Sequence, residues 1–397
     1  MISSKEAVQK VIEEALKFRH IHVLLKIEEA IGHRMASDLK SICHSPPFDQ
    51  SAMDNYAFHL CNIQSNEAIQ ISKDENSAGK SKIKHIKPHS AIRIFTGAKI
   101  PANADVVIPQ ELVEIDEKGK LQFDRSKFKA LDNIRTKGSQ FKKGDVIIKK
   151  GELLNAPRIA IAATGGHSKI KVFRFPTASI TVSGNELVKP GTPLKSDMIY
   201  ESNSIMLHAI LSEYKIQVHG VFRSEDKIAS LKKCISNCLK TSDIVLISGG
   251  ISVGKYDLVK DVLNELKVKT VFHKVKQKPG KPLYFGTIGK KFVFGLPGNP
   301  AASLTCFYEY VIPLIKTLQG DKEPLRIIKK ARLGNSYSKK SGLTHFLKGY
   351  VNEKSANILS DQESYKLTSF AEANCLIIIP ENETELKAGD LVDYHSI

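Results

Sequence analysis

Apolar residues at Ala7, Val8, Val11, Ile12, Ala15 and Leu16 recur with a helical period behind Ser3 and Glu6, which have capping-box spacing. The chain is therefore expected to open with a helix. From about Ser41 to Arg135 the period shortens to brief apolar runs broken by turn residues, among them "NYAFHL", "AIQI", "SAIRIFTG", "ADVVIPQELVEI" and "KLQF". Such runs predict a small β-rich module. The stretch from Ala156 to Phe173 reads as a short helix capped by Gly165 or Gly166, followed by a strand.

Between Phe175 and Gly320 strand and helix patterns alternate: "ASITV", a helix over 205–214, "QVHGVF", a helix over 227–239, "DIVLI", a helix over 258–266, "TVFHKV", "FVFGL" and a long helix over 301–318. This alternation predicts a doubly wound, mostly parallel sheet that binds its ligands beyond the carboxyl ends of the strands. After Gly320 the segments "RIIKKARL", "THFLKGYV", "ANILS", "NCLIIIP" and "DLVDYHSI" predict a C-terminal β-barrel or sandwich.

At 397 residues the chain exceeds one ordinary core, so several domains are expected. With 42% hydrophobic and 25% charged residues it has a soluble globular composition. The charged start "MISSKEAVQKVIEEAL" lacks an apolar export signal, and no apolar run approaches the roughly 18 residues of a membrane span, so a cytoplasmic protein is expected. Six cysteines are scattered over the chain; Cys234 and Cys238 sit on one apolar helical face, where packing is favoured over chelation because no second pair accompanies them. The net charge of +17 raises a nucleic-acid reading, but the lysines are spread out and no stacking aromatics interleave them, so neither nucleic acid nor membrane is an expected partner.

Four loops that follow candidate strands carry the chemistry: "SGNE" after Val182, "SGGISVGKYD" after Ile247, "KQKPGKP" after Val275 and "PGNP" after Leu296. Any one could be an ordinary turn, yet the topology sends all four to one edge of the sheet. Amides around Gly249, Gly250 and Gly254, with the hydroxyls of Ser248 and Ser252, can surround phosphate oxygens. Lys278 and Lys281 add positive charge in a loop stiffened by proline, and Pro297 and Pro300 shape the backbone around Gly298 and Asn299. Glu186, Asp226 and Asp257 lie on the same edge, where carboxylates would repel a phosphate unless Mg²⁺ stood between them. Helix capping remains the structural alternative for Asp226 and Asp257.

"SGGISVGKYDLVK", "KPGKPLYFG" and "FGLPGNPAASLTCF", with "PPFDQSAMDNYAF", "IFTGAKIPANADVVIPQE", "SGNELVKPG" and "SFAEANCLIIIPE", resemble in order and register the molybdopterin molybdenumtransferase family (MoeA type), which includes the gephyrin E domain. The resemblance covers most of the chain. It implies insertion of molybdate into the dithiolate of a tricyclic pterin, with adenylylated molybdopterin and Mg²⁺ and release of AMP. It further implies a homodimer with a shared active site, and partners in the molybdopterin adenylyltransferase and downstream cofactor-handling proteins. By position Asp54, Thr96, Glu186, Asp226 and Asp257 match the family's reacting centre, with Glu186, Asp226 and Asp257 as metal ligands; Lys278, Lys281, Pro297 and Pro300 match its ligand-holding loops.

The expected organisation is a multidomain α/β protein: a discontinuous helical linker domain (1–40 and 141–175), a β-rich module (41–140), an α/β molybdopterin-binding domain (176–320) and a C-terminal β-barrel-like domain (321–397). The chain departs from the family pattern at Asn55, where glycine is usual, at Asn185, where an acid is usual, at "KGSQF", which lacks the acid after "RxxG", and at Lys348, a frequent arginine. Two alternatives share the α/β domain: the adenylyltransferase of the preceding step, and a catalytically silent scaffold. Tungstate could replace molybdate, since the two oxyanions share charge and shape.

Overall fold

The structure, a computed structural model, describes residues 1–18, 21–60, 68–251 and 258–397. It divides into two units, Leu24–Val172 and the combination of Met1–Val23 with Phe173–Ile397.

Leu24–Val172 is built on a six-stranded sheet in the order Val106–Pro109, Asn55–Phe58, Ser90–Ile94, Ile69–Asn76, Lys120–Gln122, Glu114–Ile115. Only Ile69–Asn76 and Ser90–Ile94 pair in parallel. The alternation of side chains along each strand sorts them into two cores: Phe58, Ala91, Val106 and Ile108 in one, Ala57, Ile92, Ile94 and Val107 in the other. The helix Ala156–Thr164 starts where Asn155 accepts a hydrogen bond from the Arg158 N–H at 3.2 Å and ends at Gly165, with Gly166 at φ +92°.

The other unit contains a second six-stranded sheet in the order Gln217–Ser224, Thr177–Ser183, Ile244–Ser248, Lys291–Leu296, Tyr284–Ile288, Lys269–His273. The first four strands are parallel and the last two pairings antiparallel. Tyr284–Ile288 is an addition to the sequence reading. It forms a tight hairpin with Lys291–Leu296, in which Ile288 faces Lys291 across Gly289 and Lys290. Because two antiparallel steps restore direction, Lys269–His273 still ends at the same edge as the parallel strands.

Helices cover both faces. Ile244 and Leu246 point into a core with Leu207, Ile210 and Leu211, and Val245 and Ile247 into one with Leu231, Ile235, Val259 and Val262. Cys238 belongs to the second core, where burial pushes its thiol up to about 11, as suits a packing residue.

The opening helix, Ser4–Leu16, forms as its cap predicts, with Ser3 Oγ accepting from the Glu6 N–H at 3.2 Å. Its buried Ala7, Val11 and Ala15 share a core with Leu314 and Ile315 of the helix Ile312–Leu318. The opening helix thus packs on the α/β core, whereas the sequence grouped residues 1–40 with 141–175. Helical period shows that a face is buried, not against what. The long helix expected over 301–318 runs from Pro300 to Leu318 with a wide π turn at Phe307–Val311. Pro313 has no N–H to return to the Glu309 carbonyl, so the widened turn falls where the ladder is already broken.

The C-terminal strands Thr344–Val351, Cys375–Ile379, Leu391–Ser396 and Lys329–Arg332 form a third sheet, with Ala356–Ile358 paired to Thr344–Val351. A parallel bridge between Leu333, next to the edge strand Lys329–Arg332, and Ala356 brings that edge round to Ala356–Ile358 in barrel-like closure. The sheet's far edge is Gln277–Lys278, lent by the lysine loop and paired in parallel with Thr344 and His345. Buried Glu309 accepts from Arg326 at 3.2 Å and pairs with His395 Nδ1 at 2.9 Å, so the helix is tied to the last strand by a paired charge. Among the described residues no helix is long and apolar enough to cross a membrane.

Candidate active site

The parallel strands end in register, Ser183 opposite Ser224 and Ser248 opposite Leu296, so the loops that follow emerge along one edge. Ser183 is the hub. Its hydroxyl donates to Asp226 at 2.5 Å, and its carbonyl lies where a Cβ on Gly249 would stand, 2.2 Å away. Gly249 also has φ +88°, and Gly250, at φ +68°, has room for no Cβ beside Val259 at 2.9 Å. "SGG" is therefore required for close approach as well as for turning. Gly249→Ala is expected to cost about 1–2 kcal/mol for the left-handed backbone alone, with more for displacing Ser183; a lowered unfolding midpoint together with weakened ligand binding would show it.

Asp226 and Asn185 hold each other. The Asn185 N–H donates to the Asp226 carboxylate at 3.3 Å, and the Asp226 N–H donates to the Asn185 amide oxygen at 3.2 Å. Glu186 is exposed next to this pair, its carboxylate 2.9 Å from a hypothetical Cβ on Gly184. Ser252, Gly254 and Asp257 lie outside the described residues.

Asn203, which sequence reasoning missed, joins two of the predicted loops. Its buried amide donates to Ser248 Oγ at 2.8 Å and to the Gly298 carbonyl at 2.7 Å. At the start of a helix an asparagine reads as an ordinary terminus, and no pattern marks it as a brace. Asn299 donates to Ser364 Oγ at 2.6 Å, Pro297 is buried, and Pro300 opens the helix.

Lys278 and Lys281 are exposed, and among the described residues no carboxylate pairs with either. Lys278 lies opposite His345, whose Nδ1 pairs with the Tyr337 hydroxyl at 2.8 Å. Burial, then the charges of Lys339 and Lys278, push the His345 imidazole down from 6.5 to about 4. Between those values the unfolded chain binds a proton that the folded chain refuses, so stability falls as pH drops through the window. His345→Gln is expected to flatten this part of the pH profile, measured as the change in urea midpoint between about pH 7 and about pH 4.5.

In the other unit Asp54 and Thr96 meet, as their separate motifs did not reveal. Asp54 Oδ1 accepts from the Thr96 N–H at 2.7 Å and from its hydroxyl at 2.9 Å. These two bonds, the backbone one first, hold the exposed carboxyl below its usual range, so it stays ionised. Ser51 laces the two loops: its carbonyl accepts from Gly97 N–H at 2.9 Å and its hydroxyl donates to the Met53 carbonyl at 2.6 Å.

Among the described residues no group of three or more His, Cys, Asp or Glu side chains is placed to hold a metal ion. Mg²⁺ usually takes one or two carboxylates and completes its shell with water and phosphate oxygens. Asp226 and Glu186, at the mouth of a glycine loop, fit that sparser donor set.

Comparison with known proteins bears on the whole chain. Residues 2–166 match the profile of the MoeA N-terminal region (domain I and II), 179–317 that of a probable molybdopterin binding domain, and 330–397 that of the MoeA C-terminal region (domain IV). The molybdopterin molybdenumtransferase of Haemophilus influenzae is 33% identical over 99% of this chain and 98% of its own. The chain belongs to the molybdopterin molybdenumtransferase family. A relative of the same name from Staphylococcus aureus is 30% identical over 99% of this chain and 94% of its own. Crystal structures of MoeA proteins from Pyrococcus horikoshii agree: one, 30% identical, has a TM-score of 0.84 with 100% of this chain and 99% of that chain covered; another, 25% identical, has a TM-score of 0.78.

Departures from the molybdenumtransferase pattern have local explanations. Asn185 supplies the amide oxygen that receives the Asp226 N–H, a task needing an acceptor but no charge. Buried Asn55 accepts from the Gln110 N–H at 2.8 Å. At "KGSQF" Asp49 accepts from the Lys137 N–H at 2.6 Å. Buried Lys348 donates to the carbonyls of Asp361, Glu363 and Lys366, and burial lowers the ammonium's affinity for its proton.

Proposed function

We propose that the protein is the transferase that inserts molybdenum into molybdopterin, taking adenylylated molybdopterin and molybdate as substrates and releasing AMP in a Mg²⁺-dependent reaction. The observation that carries this reading is Ser183, which joins the glycine loop through its carbonyl and Asp226 through its hydroxyl, so that anion-binding amides and a carboxylate share one residue. In the proposed mechanism the amides of Gly249 and Gly250, with Ser252 and Gly254 beyond them, receive phosphate oxygens. Asn203 keeps that loop and the one at Pro297–Pro300 in fixed relation. Lys278 and Lys281 meet the dianionic groups, and Asp226, Glu186 and Asp257 would hold Mg²⁺. The ion would supply neutralisation of phosphate charge and Lewis acidity at the AMP leaving group. Asp54, kept ionised by Thr96, acts at the reacting centre.

We place the reaction in the cytoplasm, where cysteines persist as thiols; the described Cys43, Cys234, Cys238, Cys306 and Cys375 are all free. The adenylyltransferase of the preceding step and proteins that handle the finished cofactor are the proposed partners. Reconstitution with adenylylated molybdopterin, Mg²⁺ and molybdate tests the assignment through AMP release and activation of an apo-molybdoenzyme. Transfer of AMP from ATP to molybdopterin would instead make the chain an adenylyltransferase, and neither activity would make it a scaffold. Running tungstate in parallel resolves the oxyanion.

The proposed working form is a homodimer in which Asp54 of one subunit serves the α/β domain of its partner. Asp54→Ala and Glu186→Ala, each inactive alone, are then expected to regain up to about a quarter of wild-type activity after subunit exchange, since an equal mixture places both intact halves together at one site in four. Continued inactivity after demonstrated exchange would exclude a shared site.

A further inference from the structure

The lysine loop owes its shape to two residues that the site does not otherwise use. Gln277 is fully buried, and its amide nitrogen donates inward to the carbonyls of Pro279 at 3.1 Å and Gly280 at 3.3 Å. Its amide oxygen accepts from the hydroxyl of Tyr310, itself buried in the helical segment Phe307–Val311. Gly280, at φ +88°, fits so closely that a Cβ there would stand 2.4 Å from Cys306 Sγ and 2.7 Å from the Gln277 amide nitrogen. The loop is also closed at its ends, where the Val275 N–H donates to the Lys281 carbonyl at 3.0 Å and the Thr344 N–H to the Lys276 carbonyl at 3.0 Å.

We infer that Gln277 and Tyr310 form a buried latch that positions Lys278 and Lys281 for their anionic ligand. The inference rests on the reading of this loop as anion-holding. Lys278 follows Gln277 directly, and Lys281 follows Gly280, so both lysine backbones are adjacent to groups the amide grips. An unfilled hydrogen bond at this depth is costly, which makes the loop's conformation singular rather than one of several. Gly280 packs against Cys306 of the helix Pro300–Cys306 and the amide oxygen is held by Tyr310 one turn further on, so the loop rests on the helix whose first residue follows Asn299.

The test compares wild type with Gln277→Leu, Tyr310→Phe and the double variant Gln277→Met/Tyr310→Phe, which removes both buried partners at similar volume. Hydrogen exchange across residues 276–283 reads the latch directly, without reference to any activity. Exchange is expected to quicken about tenfold in each variant, and the equilibrium constant for molybdate binding to weaken about tenfold. In turnover, the molybdate KM should rise by the same factor with kcat little changed. The double variant should recover part of the unfolding stability lost in Gln277→Leu, because the orphaned Tyr310 hydroxyl is gone, while molybdate binding stays weak because the Pro279 and Gly280 carbonyls still lack their amide donor. Unchanged exchange in all variants would overturn the latch. Quickened exchange with unchanged molybdate binding, or full recovery of binding by the double variant, would overturn its positioning role. Should wild type bind no molybdate at all, the anion-holding reading of the loop fails, and the positioning inference falls with it, while the exchange data still report whether the latch exists.

Discussion

Asp226→Ala is expected to lower Mg²⁺-dependent AMP release by about a hundredfold or more, with the chain still folded. The carboxylate accepts the Ser183 hydroxyl and the Asn185 N–H, and through Ser183 it is registered against Gly249. A methyl group can neither hold a cation nor fix that hydroxyl. Asp226→Asn separates the two tasks: it retains a hydrogen-bond acceptor for Ser183 but not the charge. If Asp226 contributes to a cation site, the asparagine variant should be nearly as inactive as the alanine one and should respond to raised Mg²⁺. If Asp226 only orders the strand end, the asparagine variant should approach wild-type activity, and the metal assignment would be wrong. The unfolding midpoint of each variant, measured alongside, shows how far loss of the Ser183 bond alone disturbs the fold.

The parts of this molecule that were legible in the sequence are those governed by local period and turn chemistry. Five short runs between Asn55 and Gln122 became strands because alternating side chains supply two separate cores. Ser3 capped its helix, and the loops after Val182, Ile247, Val275 and Leu296 reached one edge of the sheet. Tyr284–Ile288 was missed because it follows a Pro-Gly-Lys-Pro turn and carries Gly286 and Thr287 in its middle, so that a short run broken by glycine reads as a continuation of the loop up to the turn at Gly289-Lys290. What pattern cannot carry is long-range partnership. Asn203 reaches Ser248 and Gly298 across 45 and 95 residues, and Gln277 reaches Tyr310 across 33. The Asp54 and Thr96 motifs were visible as separate words in a family signature, yet their hydrogen bonds, and with them the held ionisation of Asp54, exist only in three dimensions. The placement of the opening helix is of the same kind: its small buried residues fit the helix Ile312–Leu318, which lies about three hundred residues further along the chain.

Lys281→Gln should raise the molybdate requirement about ten- to a hundredfold, the consequence of losing a charge-assisted hydrogen bond of about 1.5–3 kcal/mol. The side chain is exposed at the end of a loop whose backbone is fixed on both sides: Val275 donates to the Lys281 carbonyl at 3.0 Å, and Gly280, immediately before it, is packed against Cys306. A lysine on a backbone held in this way adds to the net charge of +17, and on the reading proposed here it also touches the ligand directly. Long-range attraction and direct contact differ in their response to salt. Exposed charges separated by more than a Debye length of about 8 Å at physiological ionic strength are largely screened, so a purely general effect fades as salt rises, whereas a contact defect persists. Lys82→Gln removes the same charge from an exposed position in the basic run Lys80–Lys87 and serves as the matched control. The contact reading requires that Lys281→Gln remain defective at high salt while Lys82→Gln stays near wild type throughout. Equal defects that salt abolishes in both would reduce the lysine loop to background electrostatics and move the anion site elsewhere.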